Sequence, residues 1–162
     1  MRKIILIAFT FLSSSIIKAQ LPNPALVGYW HNWSDVNAPY IPLDLVDNRY
    51  NVIEVAFAVP TSTSNMTMLF TPDGITTNQF INKIQSVQSQ GKKVLISIGG
   101  ANISIDLTTT TNKNAFITSM TGIINTYGFD GIDIDIENGN SILAAGGNIS
   151  NPSSIAQINL ID

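Results

Sequence analysis

Hydrophobic residues along the chain keep two rhythms, one dense and short, the other spaced by threes and fours. The dense runs read as strands. Val27 to Trp33 (VGYWHNW) is short, aromatic and bounded by Pro24 and Ser34. Asn51 to Val59 (NVIEVAFAV) is β-branched and aromatic and stops at Pro60. Lys93 to Ile98 stops at Gly99 and Gly100, and Gly131 to Glu137 (GIDIDIE) is the fourth run. Between them the spacing turns helical. Over 77–90, Phe80, Ile84 and Val87 recur before a stop at Gly91; over 112–127, Phe116, Met120, Ile123 and Tyr127 recur before Gly128. Thr111 or Asn112 is placed to cap the second helix. The proline-broken connection 34–50 predicts a short helical piece around Leu43 to Asn48. A glycine- and asparagine-rich loop fills Asn138 to Asn151, and Ser153 to Asp162 opens another helix.

Strand, helix, glycine, strand, repeated, is the pattern of a parallel α/β sheet with crossover helices. Four such units make half of a (β/α)8 TIM barrel, which typically takes about 250 residues. The alternative, a small open α/β sheet, is complete at 162 residues.

Residues 1–19 (MRKIILIAFTFLSSSIIKA) stand outside this rhythm. A basic start, an apolar run from Ile4 to Leu12 and a small Ala19 give the layout of a signal peptide. The run is short of the ~20 apolar residues that span a membrane. The expectation is a secreted product of residues 20–162, with no membrane attachment after cleavage. Cleavage removes three of the eight basic residues and none of the eleven acidic ones, leaving a net charge of −6. That balance excludes the basic stripes of nucleic-acid binders. With no cysteine and one histidine, thiolate metal sites, disulfide scaffolds, cysteine nucleophiles and multi-histidine metal sites are excluded too.

The fourth strand carries the chemistry. Alternation along Asp130-Gly-Ile-Asp133-Ile-Asp135-Ile-Glu137 puts Asp133, Asp135 and Glu137 on one face and three isoleucines on the other. Neighbouring acids lie roughly 6.6 Å apart along the strand. Asp130 is out of phase, which suits a structural role. Three carboxyls in a row are costly, because burial and like charge both favour the protonated form. A general acid needs that form near neutral pH. Glu137, the longest and the last on its strand, is the candidate. An amphipathic edge strand, isoleucines in and acids out, is the alternative; a magnesium site on Asp133 and Asp135 is another. Ser97-Ile-Gly99-Gly100 ends the third strand, where paired glycines let backbone approach a ligand. Tyr29, Trp30, Trp33 and Phe57 are aromatic candidates for stacking on a sugar or for core packing.

Together these residues resemble glycoside hydrolase family 18, the chitinases and related endo-β-N-acetylglucosaminidases. The pattern Asp-x-x-Asp-x-Asp-x-Glu is matched by Asp130, Asp133, Asp135 and Glu137. Ser-x-Gly-Gly is matched by Ser97, Gly99 and Gly100. The opening Val-Gly-Tyr-Trp-x-Asn-Trp and Ala56-Phe57-Ala58 are supporting matches.

The resemblance implies a retaining mechanism assisted by the substrate's own 2-acetamido group, acting on chitin or another N-acetylglucosamine-containing oligosaccharide. Glu137 would be acid then base, Asp135 would orient the acetamido N–H, and Asp133 would share a proton with Asp135. Tyr29 and Phe57 would line the sugar pocket; no metal or cofactor is implied. The resemblance covers residues 25–162 and only about the first four strand–helix units of the family's barrel. The expectation is therefore a fragment without activity of its own. A non-catalytic sugar-binding protein is the competing function, against which Glu137 speaks. A small α/β interaction module is a third.

Overall fold

The computed structural model describes residues 21–138 and 147–162. The expected signal peptide, and most of the loop expected over Asn138 to Asn151, lie outside them. The elements run β1 (Val27–His31), a 3-10 turn (Leu43–Leu45), β2 (Val52–Ser62), β3 (Asn65–Leu69), α1 (Thr77–Ser89), β4 (Lys93–Gly99), α2 (Thr110–Tyr127), β5 (Gly131–Asp135) and α3 (Ile155–Ile161). The sheet order is β1-β2-β4-β5, all parallel, with β3 pairing antiparallel to β2.

The helices begin where side chains satisfy their free N–H groups. Thr76 and Gln79 form a capping box at α1, and Ser154 and Gln157 form another at α3. At α2 the cap is Thr109, which accepts from the Asn112 N–H; the expected caps Thr111 and Asn112 lie inside the first turn. Gly128 ends α2 in the left-handed conformation, φ 74°. Phe80, Ile84 and Val87 of α1 and Phe116, Met120, Ile123 and Tyr127 of α2 face the core. They cover the outer face of the sheet, where Ile53, Val55, Ile96 and Ile98 are buried. Phe70, Phe80, Tyr127 and Phe129 interlock at ring-centroid distances of 5.1–6.4 Å.

Three expectations are corrected. First, β2 does not stop at Pro60. It runs to Ser62 and turns into β3, with Pro60 opposite Met68 and a break in register before Ser62. A proline fits there because it lies at an irregular outer segment of the ladder. Met66 and Met68 are buried, and the Met68 N–H donates to the Ser119 hydroxyl of α2 at 2.8 Å. Second, the helical piece around Leu43 to Asn48 shrinks to one three-residue turn, anchored by buried Leu43 and a 2.6 Å Lys83–Asp44 ion pair. Third, two strands end early. β1 ends at His31, because the Asn32 side chain turns to the Thr71 carbonyl and the Asp73 N–H. β5 ends at Asp135, two residues before Glu137.

Candidate active site

The register of the parallel sheet assembles the site. Ser97 pairs with Asp133, Gly99 with Asp135, and Tyr29 with Glu54. Ile53 and Val55 point into the helix layer, so Glu54 between them faces the opposite, concave side. On β5, Ile132 packs against the core, and Asp133 and Asp135 face the concave side; Ile134 is half exposed because β5 is the outermost strand of the described sheet.

Tyr29 ties the two outer strands together. Its hydroxyl donates to Asp133 Oδ2 at 2.8 Å, across 104 residues of sequence. β2 and β4 stand between β1 and β5. Three strand spacings would hold these strands ~14 Å apart in a flat sheet. A direct bond therefore requires the sheet to curl toward its concave face. Burial pushes the Tyr29 hydroxyl well above its ordinary range, and the bond to Asp133 and the charges of Asp133, Asp135 and Glu54 add to it. The phenol stays a donor at any physiological pH.

Gly99 and Gly100 make the close approach at the carboxyl end of β4. Both have left-handed φ, 100° and 81°. A Cβ on Gly99 would fall 2.1 Å from the Asp135 carbonyl oxygen, and one on Gly100 would fall 3.0 Å from the Phe57 ring. The Gly100 N–H donates to the Asp135 carbonyl at 2.6 Å, which closes the ladder at the residue where β5 ends. Phe57, joined to Ala56 by a cis peptide, lies between Tyr29 and Trp33 at centroid distances of 6.1 and 6.5 Å, nearly parallel to Trp33. Two residues of β2, Ala56 and Phe57, stand between ladder pairs that enclose one residue of β4, Ser97. That bulge turns the Phe57 ring over Gly100. Ser97 is fully buried, and its hydroxyl has no protein partner among the described residues.

Asp130 sits apart, at the amino end of β5. It accepts from Lys93 Nζ at 2.6 Å, the Val94 N–H at 3.0 Å and Gln88 Nε2 at 2.9 Å. Burial pushes its carboxyl up, but these donors and the Lys93 charge outweigh it and hold the group below the usual carboxylate range. Glu137 is at the other end, exposed beyond β5, just before Asn138, whose side-chain amide donates to the Ala101 carbonyl.

A cavity of about 420 Å³ opens at the carboxyl end of the strands, lined among others by Trp33, Phe57, Gly99, Gly100 and Ile103. A second, of about 400 Å³, lies along the outer side of β1 and includes Tyr29 and Tyr50. Trp30 is a core residue, donating its indole N–H to the Ile41 carbonyl at 2.7 Å. Among the described residues, no group of three or more acidic, histidine or cysteine side chains is placed to hold a metal. Trp33, one of the aromatic candidates, lines the cavity with Phe57. One residue joins the site that the sequence reading did not assign to it: Glu54 stands on the acidic face. The signal for Glu54 was its charge, alone within NVIEVAFAV.

Comparison with known proteins bears on this arrangement. The family model for Glycosyl hydrolases family 18 matches residues 25–156. Chitinase D of Niallia circulans is 46% identical over 139 residues, covering 85% of this chain and 26% of that protein. Chitinase Chi52 of Paenibacillus xylanexedens is 45% identical over 137 residues, covering 84% and 26%. Among solved structures, a family GH18 chitinase from Chromobacterium violaceum superposes with a TM-score of 0.68 at 42% identity, covering 78% of this chain and 34% of that one. The chain thus spans about a quarter of the length of these curated relatives.

Proposed function

The chain belongs to glycosyl hydrolases family 18, and from that premise we propose that it carries the acid-bearing first half of a secreted, chitin-hydrolysing barrel. Residues 20–162 supply its first four strand–helix units, and residues 1–19 are the signal peptide. The relatives above are chitinases by name, and chitin or an N-acetylglucosamine oligosaccharide is the substrate this reading takes from them.

The observation that carries the reading is the register Ser97–Asp133 and Gly99–Asp135, with Tyr29 bonded to Asp133. It gives a row of acids on the concave face that runs toward Glu137 at the open strand ends. In the proposed reaction the Glu137 carboxyl gives its proton to the leaving glycosidic oxygen. The substrate's acetamido oxygen closes on the anomeric carbon as that bond breaks. Asp135 accepts the acetamido N–H and balances the positive charge of the cyclic intermediate. Asp133, held by the Tyr29 hydroxyl, shares a proton with Asp135. Glu137, now a carboxylate, takes a proton from the incoming water as the water oxygen bonds the anomeric carbon and the bond from that carbon to the acetamido oxygen breaks. Phe57 and Trp33 supply apolar rings for the sugar faces, and Gly99 and Gly100 leave room beside Asp135.

The test is Glu137→Gln in the complete barrel of which this chain is the proposed first half, assayed on a chito-oligosaccharide. Loss of the acid should lower kcat by ~10²–10⁴, with binding of the oligosaccharide retained. Hydrolysis at near wild-type rate would sink the assignment.

A further inference from the structure

We propose that Asn32 is a positioning residue of the sugar cavity, fixing the end of β1 so that the Trp33 ring stands beside Phe57. The inference rests on the hydrolase reading above and adds to it the group that holds one wall of the cavity.

Asn32 follows His31, the last residue of β1, and is half-buried. Its side chain turns to the connection between β3 and α1. Nδ2 donates to the Thr71 carbonyl at 2.7 Å, and Oδ1 accepts from the Asp73 N–H at 2.9 Å. Its backbone N–H donates to the Ala56 carbonyl of β2 at 3.3 Å. The connection it grips is itself fastened. Phe70 and Pro72 are buried, and the Tyr127 hydroxyl donates to the Phe70 carbonyl at 3.2 Å. Asn32 is therefore tied to the core and not to a loose loop.

The residue type follows from its partners. A carbonyl beside an N–H calls for one donor and one acceptor on the same short side chain, which an asparagine amide supplies. An aspartate keeps the acceptor and sets its second oxygen against the Thr71 carbonyl. An alanine leaves both backbone groups without this partner.

Trp33 needs that support. Its ring is 44% exposed, so core burial does not hold it, and the residues that follow, 34–37, are exposed as well. Its carbonyl accepts from His31 Nδ1 at 2.7 Å, and its ring lies nearly parallel to Phe57, at 24°. Asn32, Trp33 and Phe57 line the same cavity at the carboxyl end of the strands. Asp133, Asp135 and Glu137 are not among its described lining residues. A ring held there grips a sugar away from the acids, equally before and during bond cleavage. Its loss should appear in KM and spare kcat.

The test is a double-substitution cycle in the complete barrel, assayed on N-acetylchitohexaose. Asn32→Ala should raise KM ~5-fold and leave kcat within about twofold. Trp33→Ala should raise KM at least as much. Because Asn32 acts through Trp33, adding Asn32→Ala to Trp33→Ala should raise KM no further. A merely structural role would make the two effects add.

A second measurement is independent of activity. The barrel is labelled with 5-fluorotryptophan, and Trp33→Phe identifies the Trp33 signal in ¹⁹F NMR. In Asn32→Ala that signal should move toward the position of free 5-fluorotryptophan while the other tryptophan signals stay. Should Asn32→Ala not fold, Asn32→Asp, which loses the donor to Thr71, is read by the same criteria. An unmoved Trp33 signal, an unchanged KM or additive effects in the cycle overturns the proposal. A moved Trp33 signal in a barrel that neither binds nor cleaves the oligosaccharide supports the hold on Trp33 and sinks the hydrolase reading instead.

Discussion

Asp130, just before β5, and Asp133, at its middle, stand three residues apart, and the molecule treats them in opposite ways. Asp130, at the amino end of the sheet, collects a lysine, a backbone amide and a side-chain amide. Asp133, toward the carboxyl end, receives a single tyrosine hydroxyl and faces other acids. One carboxylate is neutralised and fastens β4, β5 and the end of α1 together. The other has no cation beside it among the described residues and faces Asp135 along the strand. The same residue type thus fastens neighbouring elements before β5 and, within it, faces the concave side of the sheet beside a tyrosine hydroxyl.

Substitutions at the two ends should separate these roles, and three can be ranked by their effect on stability. Gly99→Ala should cost the most. It places a methyl against the Asp135 carbonyl and forces an alanine into left-handed φ. A loss of ~3 kcal/mol or more is expected in urea unfolding. A loss below ~1 kcal/mol would show that the β4–β5 closure relaxes easily.

Asp130→Asn comes next, at ~1–2 kcal/mol near neutral pH. The folded-state carboxyl lies below its ordinary value. Its contribution is therefore present above the unfolded aspartate value near ~3.9 and is lost as pH falls through the lower folded value. Melting temperatures of the two proteins should converge as pH drops through that window. A gap that persists in acid would mean that Asp130 acts by shape and not by charge.

Tyr29→Phe should be the mildest for stability, within ~0.5 kcal/mol, because the ring is 53% exposed and only its hydroxyl is lost. Its effect should fall on activity. With Asp133 no longer held by that hydroxyl, kcat/KM of the complete barrel on a chito-oligosaccharide should fall about tenfold, ~1.4 kcal/mol of transition-state stabilisation. The reverse outcome, a large stability loss with activity intact, would erase the contrast between the two ends.

Much of this architecture was legible along the chain because its signals are local. The helices α1 and α2 follow from apolar spacing and a terminal glycine, and the parallel strands from β-branched runs. The alternation of acids and isoleucines in 131–137 assigns their faces before any contact is known. β3 was not legible. Asn65–Leu69 is polar at its flanks and pairs behind a proline, and its strand form depends on Met66 and Met68 burying against α2. The end of β5 was not legible either, since it is decided by the turn at Gly99 and Gly100 on another strand.

The sequence by itself determined the repeating strand–helix order, the acid row and the glycine pair, because each is written in neighbouring residues. Tertiary structure alone decided which distant groups meet those acids. Tyr29 reaches Asp133, and Glu54 joins their face, through inter-strand register and the curl of the sheet. Those are properties of how strands pack, and no single stretch of residues encodes them.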